Sequence, residues 1–292
     1  MCTKRLVVLN LSPIDNVRLI WERARTCAAS IAIIVHRSSA FLELAKAQIQ
    51  AGLWTDAQVS IATIDLDYHR VKALSALAVA QVQTNHSMVP ATFEIARTIA
   101  MAMPSARLRA HTLVDLAAAQ AQAAHPDMLG TFALARTNAD AITDNVERGD
   151  ALGILVEALA QAGLWNEAQS TASAITHADQ RAAALAYLAV AQSQANHPDM
   201  GTTFAMAHDS IVSMTYSWDR ATTHSILHDA MIQVDSVLIA RHYVATIWRV
   251  AQTSQDLLAM AKIAYPLILH DSALGHAMVA AFAWVDDQPR EG

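Results

Sequence analysis

The chain has 292 residues and a formal net charge of −6, and 54% of its residues are hydrophobic while 5% are aromatic. Because 26 acidic residues outnumber 20 basic ones that are spread along the chain, we expect no nucleic-acid partner, which would need clustered Lys and Arg. The hydrophobic residues are mostly alanine and leucine, which favour helices, and eight glycines and seven prolines leave little material for hairpin turns. The composition therefore predicts an all-α protein.

Six arginines divide the chain into repeats, with intervals of 33, 39, 39, 33 and 39 residues between them. An alanine precedes each arginine by thirteen residues, an isoleucine or methionine precedes it by six, and a leucine follows it by seven. Tandem repeats of this length are typical of stacked helical units, so the pattern predicts an α-solenoid of about seven antiparallel helix pairs. The arginines are Arg37, Arg70, Arg109, Arg148, Arg181 and Arg220.

In chain order, we expect an irregular segment at residues 1–16, a single helical array at residues 17–286 and a short tail at residues 287–292. The first helix of the array is predicted at Val17–Val35 and the last at Asp271–Val285. Between them, each complete unit is predicted to contain a helix A that starts near the arginine, a turn, and a helix B that ends near the Ile or Met. A seventh unit without the arginine precedes the last helix.

Two kinds of turn are predicted between helix A and helix B. The short units contain Gly52 or Gly163, and glycine suits the left-handed conformation at a helix C-terminus. The long units instead contain His86, His125 or His197, and each of these is predicted to be a solvated loop side chain. Because the helix-forming pattern is constant, the six extra residues of the long units are expected in this connection.

Part of the pattern resembles the tetratricopeptide repeat (TPR) family, through its leucine–small pair, its turn glycine and the small and bulky positions of its second helix. The matching residues are Leu44-Ala45, Gly52, Ala57, Ile61 and Ile64, and again Leu155, Gly163, Ala168 and Ile175. The chain departs from the family where a mid-helix tyrosine is replaced by Gln48, Gln81, Gln120 and Gln192. The resemblance, which extends over residues 17–286, implies a superhelix whose A helices line a concave groove that binds peptides or proteins.

A second column of residues follows the arginines, because a glutamine lies thirteen residues after each one: Gln50, Gln83, Gln122, Gln161, Gln194 and Gln233. These amides could hydrogen-bond the backbone of an extended peptide. Alternatively, they could satisfy helix-terminal carbonyls or bridge adjacent repeats. On the groove geometry that the TPR resemblance implies, we expect a partner to contact Lys72, Val79, Gln83, His111, Gln122, Glu157, Gln161, Gln194 and Asp229.

Other reactive or charged side chains have a structural and a functional interpretation. The arginines either present guanidinium groups to a ligand or pack between repeats and pair with nearby acids such as Asp67 and Asp144. His224 and His228 have a spacing that can chelate zinc, but further ligands are not evident from the sequence, so we expect no metal site. Cys27 is expected to be a buried small hydrophobic residue.

We therefore expect a non-catalytic scaffold that binds a protein or peptide and needs no cofactor. The sequence contains no Gly-rich phosphate loop, no GxSxG motif and no CxxC pair, so no enzyme class is indicated. One alternative is a regulatory sensor that changes conformation when a small peptide or metabolite binds, which would raise its thermal stability. The other is an enzyme that uses groove acids and histidines, such as Glu157 and His228.

Two further expectations concern location and assembly. Two cysteines make no disulfide framework, which is typical of a reducing compartment, and the longest apolar stretches fall well short of the roughly 20 residues that span a bilayer. We therefore expect a cytoplasmic protein with no membrane partner. Apolar surfaces at Ala28–Val35 and in the last helix predict self-association through the terminal helices.

Overall fold

The computed structural model describes residues 13–214 together with Thr223, Leu227 and Ala230. Within these residues it contains eleven α-helices and no strand, which confirms the all-α prediction. The helices are α1 (Pro13–Ala29), α2 (Ile34–Gln50), α3 (Trp54–Ala62), α4 (Asp67–Gln83), α5 (Val89–Ala102), α6 (Ala106–Gln122), α7 (Met128–Asp140), α8 (Asn145–Gln161), α9 (Trp165–Ser173), α10 (Ala178–Gln194) and α11 (Met200–Val212). None of these helices is long and apolar enough to cross a membrane.

Several predictions concern residues outside this described part of the chain. The residues and segments concerned are residues 1–12, the sixth arginine Arg220, the pair His224 and His228, Asp229, Gln233, the seventh unit, the last helix at Asp271–Val285 and the tail. These expectations stay predictions.

The chain divides into two compact units, Met1–Thr131 and Phe132–Gly292. In the first unit, α4 contacts α2, α3, α5 and α6, and α2 also contacts α1 and α3. In the second unit, α10 contacts α8, α9 and α11, and α8 also contacts α9. Because short connections join consecutive helices that touch, the paired helices run in opposite directions.

The repeat arginines mark the start of helix A as predicted. Each of α2, α4, α6, α8 and α10 has 17 residues, starts three residues before its arginine and ends at a glutamine of the second column. The helix before them is an exception, because α1 begins at Pro13 and ends at Ala29 rather than spanning Val17–Val35. Residues 30–33 instead form the turn into α2, and Ile34 and Val35 begin that helix, so apolar composition alone was a poor guide to the end of α1.

Small side chains let the helices approach closely at the repeat alanines. Ala57, Ala96, Ala135, Ala168 and Ala207 are completely buried. The repeat leucines that follow the arginines are also buried, in both short and long units. Because a Cβ is the whole side chain at the alanine position, a larger residue there would need space that the packed interior does not provide.

The arginines connect the end of helix B to the start of the next helix A. In α4, Nε and Nη2 of Arg70 donate to the carbonyl oxygen of Ile64 at 3.1 and 2.7 Å. The same contact joins Arg37 to Ile31 at 3.0 Å, Arg109 to Met103 at 2.7 Å, Arg148 to Ile142 at 2.9 Å and Arg181 to Ile175 at 2.8 Å. These carbonyls lie at or just after a helix C-terminus, where no intrahelical donor is available. This geometry supports the structural interpretation of the arginines.

Only some of the acidic residues that were predicted to pair with the arginines do so. Arg70 does pair with Asp67 at 3.1 Å. Asp144 instead accepts the backbone N–H groups of Val146 and Glu147, both at 2.9 Å, and so caps the N-terminus of α8. The sequence did not reveal this because an aspartate at that position can serve either purpose.

The turns between helix A and helix B follow the two predicted classes. Gly52 and Gly163 both have φ of 73°, the left-handed conformation that a side chain disfavours. In the long turns, Asn85, Ala124 and Asn196 take the corresponding left-handed conformation. The histidine that follows each of them is more than a solvated side chain, because its Nδ1 accepts the backbone N–H two residues later at 3.2 to 3.3 Å.

The extra residues of the long units do not all fall in the turn, so that expectation was wrong. The short turn between α2 and α3 covers residues 51–53, whereas the long turn between α4 and α5 covers residues 84–88. Helix B lengthens as well, from nine residues in α3 and α9 to 13 in α7 and α11 and 14 in α5. Most of the insertion is therefore about one additional turn of helix B.

Buried glutamines occupy the same mid-helix position in four of the A helices, at Gln48, Gln81, Gln120 and Gln192. Oε1 of Gln81 accepts the hydroxyl of Thr92 at 2.9 Å. The amide atoms of Gln48 and Gln192 are buried without a hydrogen-bond partner among the described residues. In α8 the same position holds Leu159, which is also buried. This mid-helix position thus accepts an apolar side chain in place of glutamine.

Candidate functional site

One groove in the first unit is formed by three A helices. It encloses about 510 Å³ between the facing surfaces of α2, α4 and α6, a volume within the range of ligand-binding sites in proteins. We call it the α2–α4–α6 groove. It is lined by Lys46, Ile49, Gln50, Lys72, Ser75, Ala76, Val79, Ala80, Gln83, Asp115, Ala118, Ala119 and Gln122.

The lining follows helical spacing, which explains why the repeat brings these residues together. On α4 the lining residues recur at intervals of three or four from Lys72 to Gln83, so they share one face. Val79 lies nine residues after its repeat arginine, and Lys46 and Ala118 occupy the same position on α2 and α6. A regular repeat therefore places side chains at equivalent positions side by side across the groove.

The floor of the groove is small and apolar, and its rim is polar. Ala76, Ala80, Ala118 and Ala119 leave the helix surfaces open. Three glutamines of the second column stand along the rim, each exposed and each at the C-terminal residue of its helix: Gln50, Gln83 and Gln122. An amide offers two N–H donors and a carbonyl acceptor, the groups that pair with a peptide backbone.

Charged side chains of both signs flank this floor. Nζ of Lys46 lies 2.7 Å from Oε1 of Glu43, so its charge is partly neutralised within α2. Lys72 is exposed, and its Nζ lies 5.7 Å from the centroid of the Tyr68 ring. Asp115 is half-buried in the wall that α6 contributes. The two cationic side chains thus lie on α2 and α4, and the carboxylate lies on α6.

The charge of Lys72 also affects a neighbouring histidine. The pKa of His69 is lowered from its ordinary value of 6.5, first because partial burial disfavours the charged ring and second because Lys72 repels it. His69 precedes the groove residues on α4 and is not part of the lining. It therefore adds little positive charge to this surface near neutral pH.

A buried hydroxyl is part of the same lining. Ser75 is 5% exposed, and its Oγ has no hydrogen-bond partner among the described residues. An unpaired buried hydroxyl is unfavourable, since it has left water without a replacement partner. Serines within helices usually donate to the carbonyl four residues earlier, as Ser210 does to Met206 at 2.9 Å. Ser75 does not.

The structure brings together four of the predicted contact residues. Lys72, Val79, Gln83 and Gln122 all line the α2–α4–α6 groove. His111 lies on α6, but it is not among the lining residues. That a partner contacts them stays a prediction.

Sequence reasoning did not include some of the lining in its predicted contact set. Lys46, Gln50, Ser75 and Asp115 were left out although they share register positions or helix faces with residues that were included. The period of the repeat, applied to every helix equally, would have found Lys46 and Gln50. Asp115 shares its register position with Glu43 of α2, so the period indicates it as well, whereas no other described A helix has a hydroxyl at the position of Ser75.

The remaining predicted contacts that are described lie in the second unit. The amide of Gln161 donates to the Tyr187 hydroxyl at 3.0 Å, which joins α8 to α10. This bond supports the bridging interpretation at that position. Glu157 is exposed, yet desolvation by its neighbours raises the pKa of its carboxyl above the ordinary 4.5. Gln194 is exposed at the end of α10.

The last two candidates from the sequence are Cys27 and the apolar surface at the start of the array. Cys27 is exposed near the end of α1, so the expectation of a buried residue was wrong. The helix turns its other side, which carries Ala28, toward the interior. Ile33, Ile34 and Val35 are at least half exposed, which leaves an apolar surface where self-association was predicted.

Comparisons with known proteins add only a weak structural similarity. No protein-family model matches the chain, and no curated protein matches it. Among solved structures, a match is the crystal structure of Ton1535 from Thermococcus onnurineus NA1, with 12% sequence identity and a TM-score of 0.39. The alignment covers 89% of this chain and 91% of that chain. The similarity is low.

Proposed function

We propose that the chain is a non-catalytic helical-repeat scaffold of the TPR-like kind, and that its A helices bind a peptide or an extended segment of a protein. The observation that carries this proposal is the α2–α4–α6 groove, where three repeats present equivalent surfaces side by side. Solenoid proteins bind partners on surfaces of this type, because each repeat contributes one strip of side chains.

The chemistry of the lining supports a polypeptide ligand. The exposed amides of Gln50, Gln83 and Gln122 can donate to and accept from main-chain groups. The alanine floor allows a backbone to approach closely, while Val79 and Ile49 provide apolar contacts for side chains. An extended peptide could use both features at once, since its backbone and its side chains alternate along its length.

The groove can be blocked by one substitution with a matched control. Ala80→Trp places an indole in the floor, whereas Ala91→Trp places the same group at an exposed position of α5 outside the lining. A random octapeptide library displayed on phage is selected on the wild-type protein, and enriched peptides are then synthesised and titrated by fluorescence anisotropy. Circular dichroism checks that each variant keeps its helical content.

We expect enriched peptides to bind the wild type and Ala91→Trp alike, and to bind Ala80→Trp at least about tenfold more weakly. Peptides that bind both variants equally would show that the groove is not the binding surface. A library that yields no binder to the wild-type protein would contradict the proposed function itself.

A further inference from the structure

The charged side chains of the α2–α4–α6 groove are arranged asymmetrically across its width. The cationic groups lie on α2 and α4, and the carboxylate of Asp115 lies on α6. Lys46 is already paired with Glu43 at 2.7 Å. Lys72, whose described neighbour is the ring of Tyr68, is therefore the cation with charge to offer an incoming anion.

The separation of these charges suits a short peptide. Lys72 lies two residues and Asp115 six residues after its repeat arginine, so they differ by about 6 Å along the helix axis. Neighbouring helix axes are about 8–10 Å apart, which places the backbone positions of Lys72 and Asp115 on the order of 11 Å from each other. An extended chain covers this distance in about three residues.

Ser75 supplies a hydrogen-bonding group beside this pair of charges. It follows Lys72 by three residues on the same face of α4 and lines the same groove. Its Oγ is buried and has no partner among the described residues, so a χ1 rotation toward the groove would let it donate to a peptide carbonyl that lies across α4. A ligand would thus relieve a desolvation cost that the free protein carries.

We propose that this groove selects an extended peptide segment that carries an acidic and a basic side chain about three residues apart. The acidic side chain contacts Lys72, the basic side chain contacts Asp115, and the backbone between them accepts a hydrogen bond from Ser75. This inference rests on the proposed function, because it names the ligand class of the same groove.

The test is a comparison of the peptides that charge variants enrich from the random octapeptide library. Lys72→Glu and Asp115→Lys each reverse one charge of the groove. Arg97→Glu and Glu94→Lys make matching changes of net charge on α5, outside the groove. Deep sequencing of each enriched pool gives the frequency of paired acidic and basic residues at every spacing.

For the wild type and both α5 variants, we expect pairs of opposite charge at a spacing of about three to be enriched. Asp115→Lys should exchange the basic preference for an acidic one, and Lys72→Glu should exchange the acidic preference for a basic one. Pools that bind in the groove, as judged by loss on Ala80→Trp, but carry no charge pair would overturn this inference and leave the proposed function intact. The inference would also be overturned if the α5 variants changed the charge preferences of the enriched peptides as much as the groove variants do.

The contact proposed for the Ser75 hydroxyl can be tested with a matched control variant. Ser60 on α3 is also buried with an unpartnered Oγ among the described residues, but it does not line the groove. Ser75→Ala should weaken binding of an enriched peptide roughly three- to tenfold, whereas Ser60→Ala should leave binding unchanged. Equal affinities for wild type and Ser75→Ala would remove the hydroxyl from the proposed contact.

Discussion

Replacing Arg70 with methionine should weaken the junction between α3 and α4. Methionine retains much of the apolar stem but removes the donors, Nε and Nη2, that bind the Ile64 carbonyl at 3.1 and 2.7 Å. A hydrogen bond from a charged group contributes about 1.5–3 kcal/mol. The partly exposed ion pair with Asp67 adds at most about 1 kcal/mol after screening by solvent. We therefore expect a local destabilisation of about 2–3 kcal/mol.

Amide hydrogen exchange measured by mass spectrometry is the suitable assay, because it reports opening of individual segments even when the two units do not unfold together. A loss of about 2 kcal/mol corresponds to roughly 30-fold faster exchange in peptides that cover the end of α3 and the start of α4. Arg97→Met is the control, since Arg97 pairs with exposed Glu94 within α5. Its effect should stay below about 1 kcal/mol.

Arg70→Lys refines the test. Lysine keeps the positive charge but cannot present two donors to one carbonyl in a fixed plane, so an intermediate increase in exchange is expected. If Arg70→Met and Arg97→Met accelerate exchange equally in their own segments, the arginine-to-carbonyl contact contributes nothing specific and the reasoning is refuted.

Three further predictions test separate parts of the structure. Gly163 has φ of 73°, so Gly163→Ala should lower the free energy of unfolding by about 1 kcal/mol. Gly153 lies inside α8 with open space around it, so Gly153→Ala should raise the free energy of unfolding by up to about 1 kcal/mol. Melting temperatures that shift in the same direction for both variants would contradict this. Gln192→Leu, which copies Leu159, should stabilise by about 1–3 kcal/mol because both amide atoms are buried without a partner among the described residues, and chemical denaturation that shows a loss would count against it. Because the pKa of Glu157 is raised above 4.5, the folded chain holds that proton to higher pH than the unfolded chain, so stability falls as pH rises through this range. Glu157→Gln should therefore raise the melting temperature more at pH 7 than at pH 4, and equal effects at both pH values would be inconsistent with the shift.

The sequence predicts the A helices well because their signals are local and repeated. The arginine, the leucine and the terminal glutamine mark each of these helices with the same spacing, and the buried alanine marks the facing helix. The length of helix B was not predictable in the same way. Alanine-rich sequence after a turn is compatible with either a longer connection or a longer helix, and packing against the neighbouring helix decides between them.

The partners of the arginines show a second limit of sequence reasoning. Arg181 donates to the carbonyl oxygen of Ile175, and backbone carbonyls carry no sequence signal. Acidic residues are visible in the sequence, so they were the expected partners. Similarly, the burial of Ser75 within the groove depends on the approach of neighbouring helices and could not be read from its position in α4 alone.

The central claim is that a peptide lies across α2, α4 and α6, and site-specific photo-crosslinking tests it most directly. Benzoylphenylalanine is placed at Gln83, on the groove rim, or at Gln58, an exposed residue of α3 outside the lining. An enriched peptide is then irradiated with each protein, and the adduct is located by mass spectrometry. The account predicts a crosslink from position 83 that excess unlabelled peptide suppresses, and little from position 58. Crosslinking from position 58 alone, or equally from both, would contradict it.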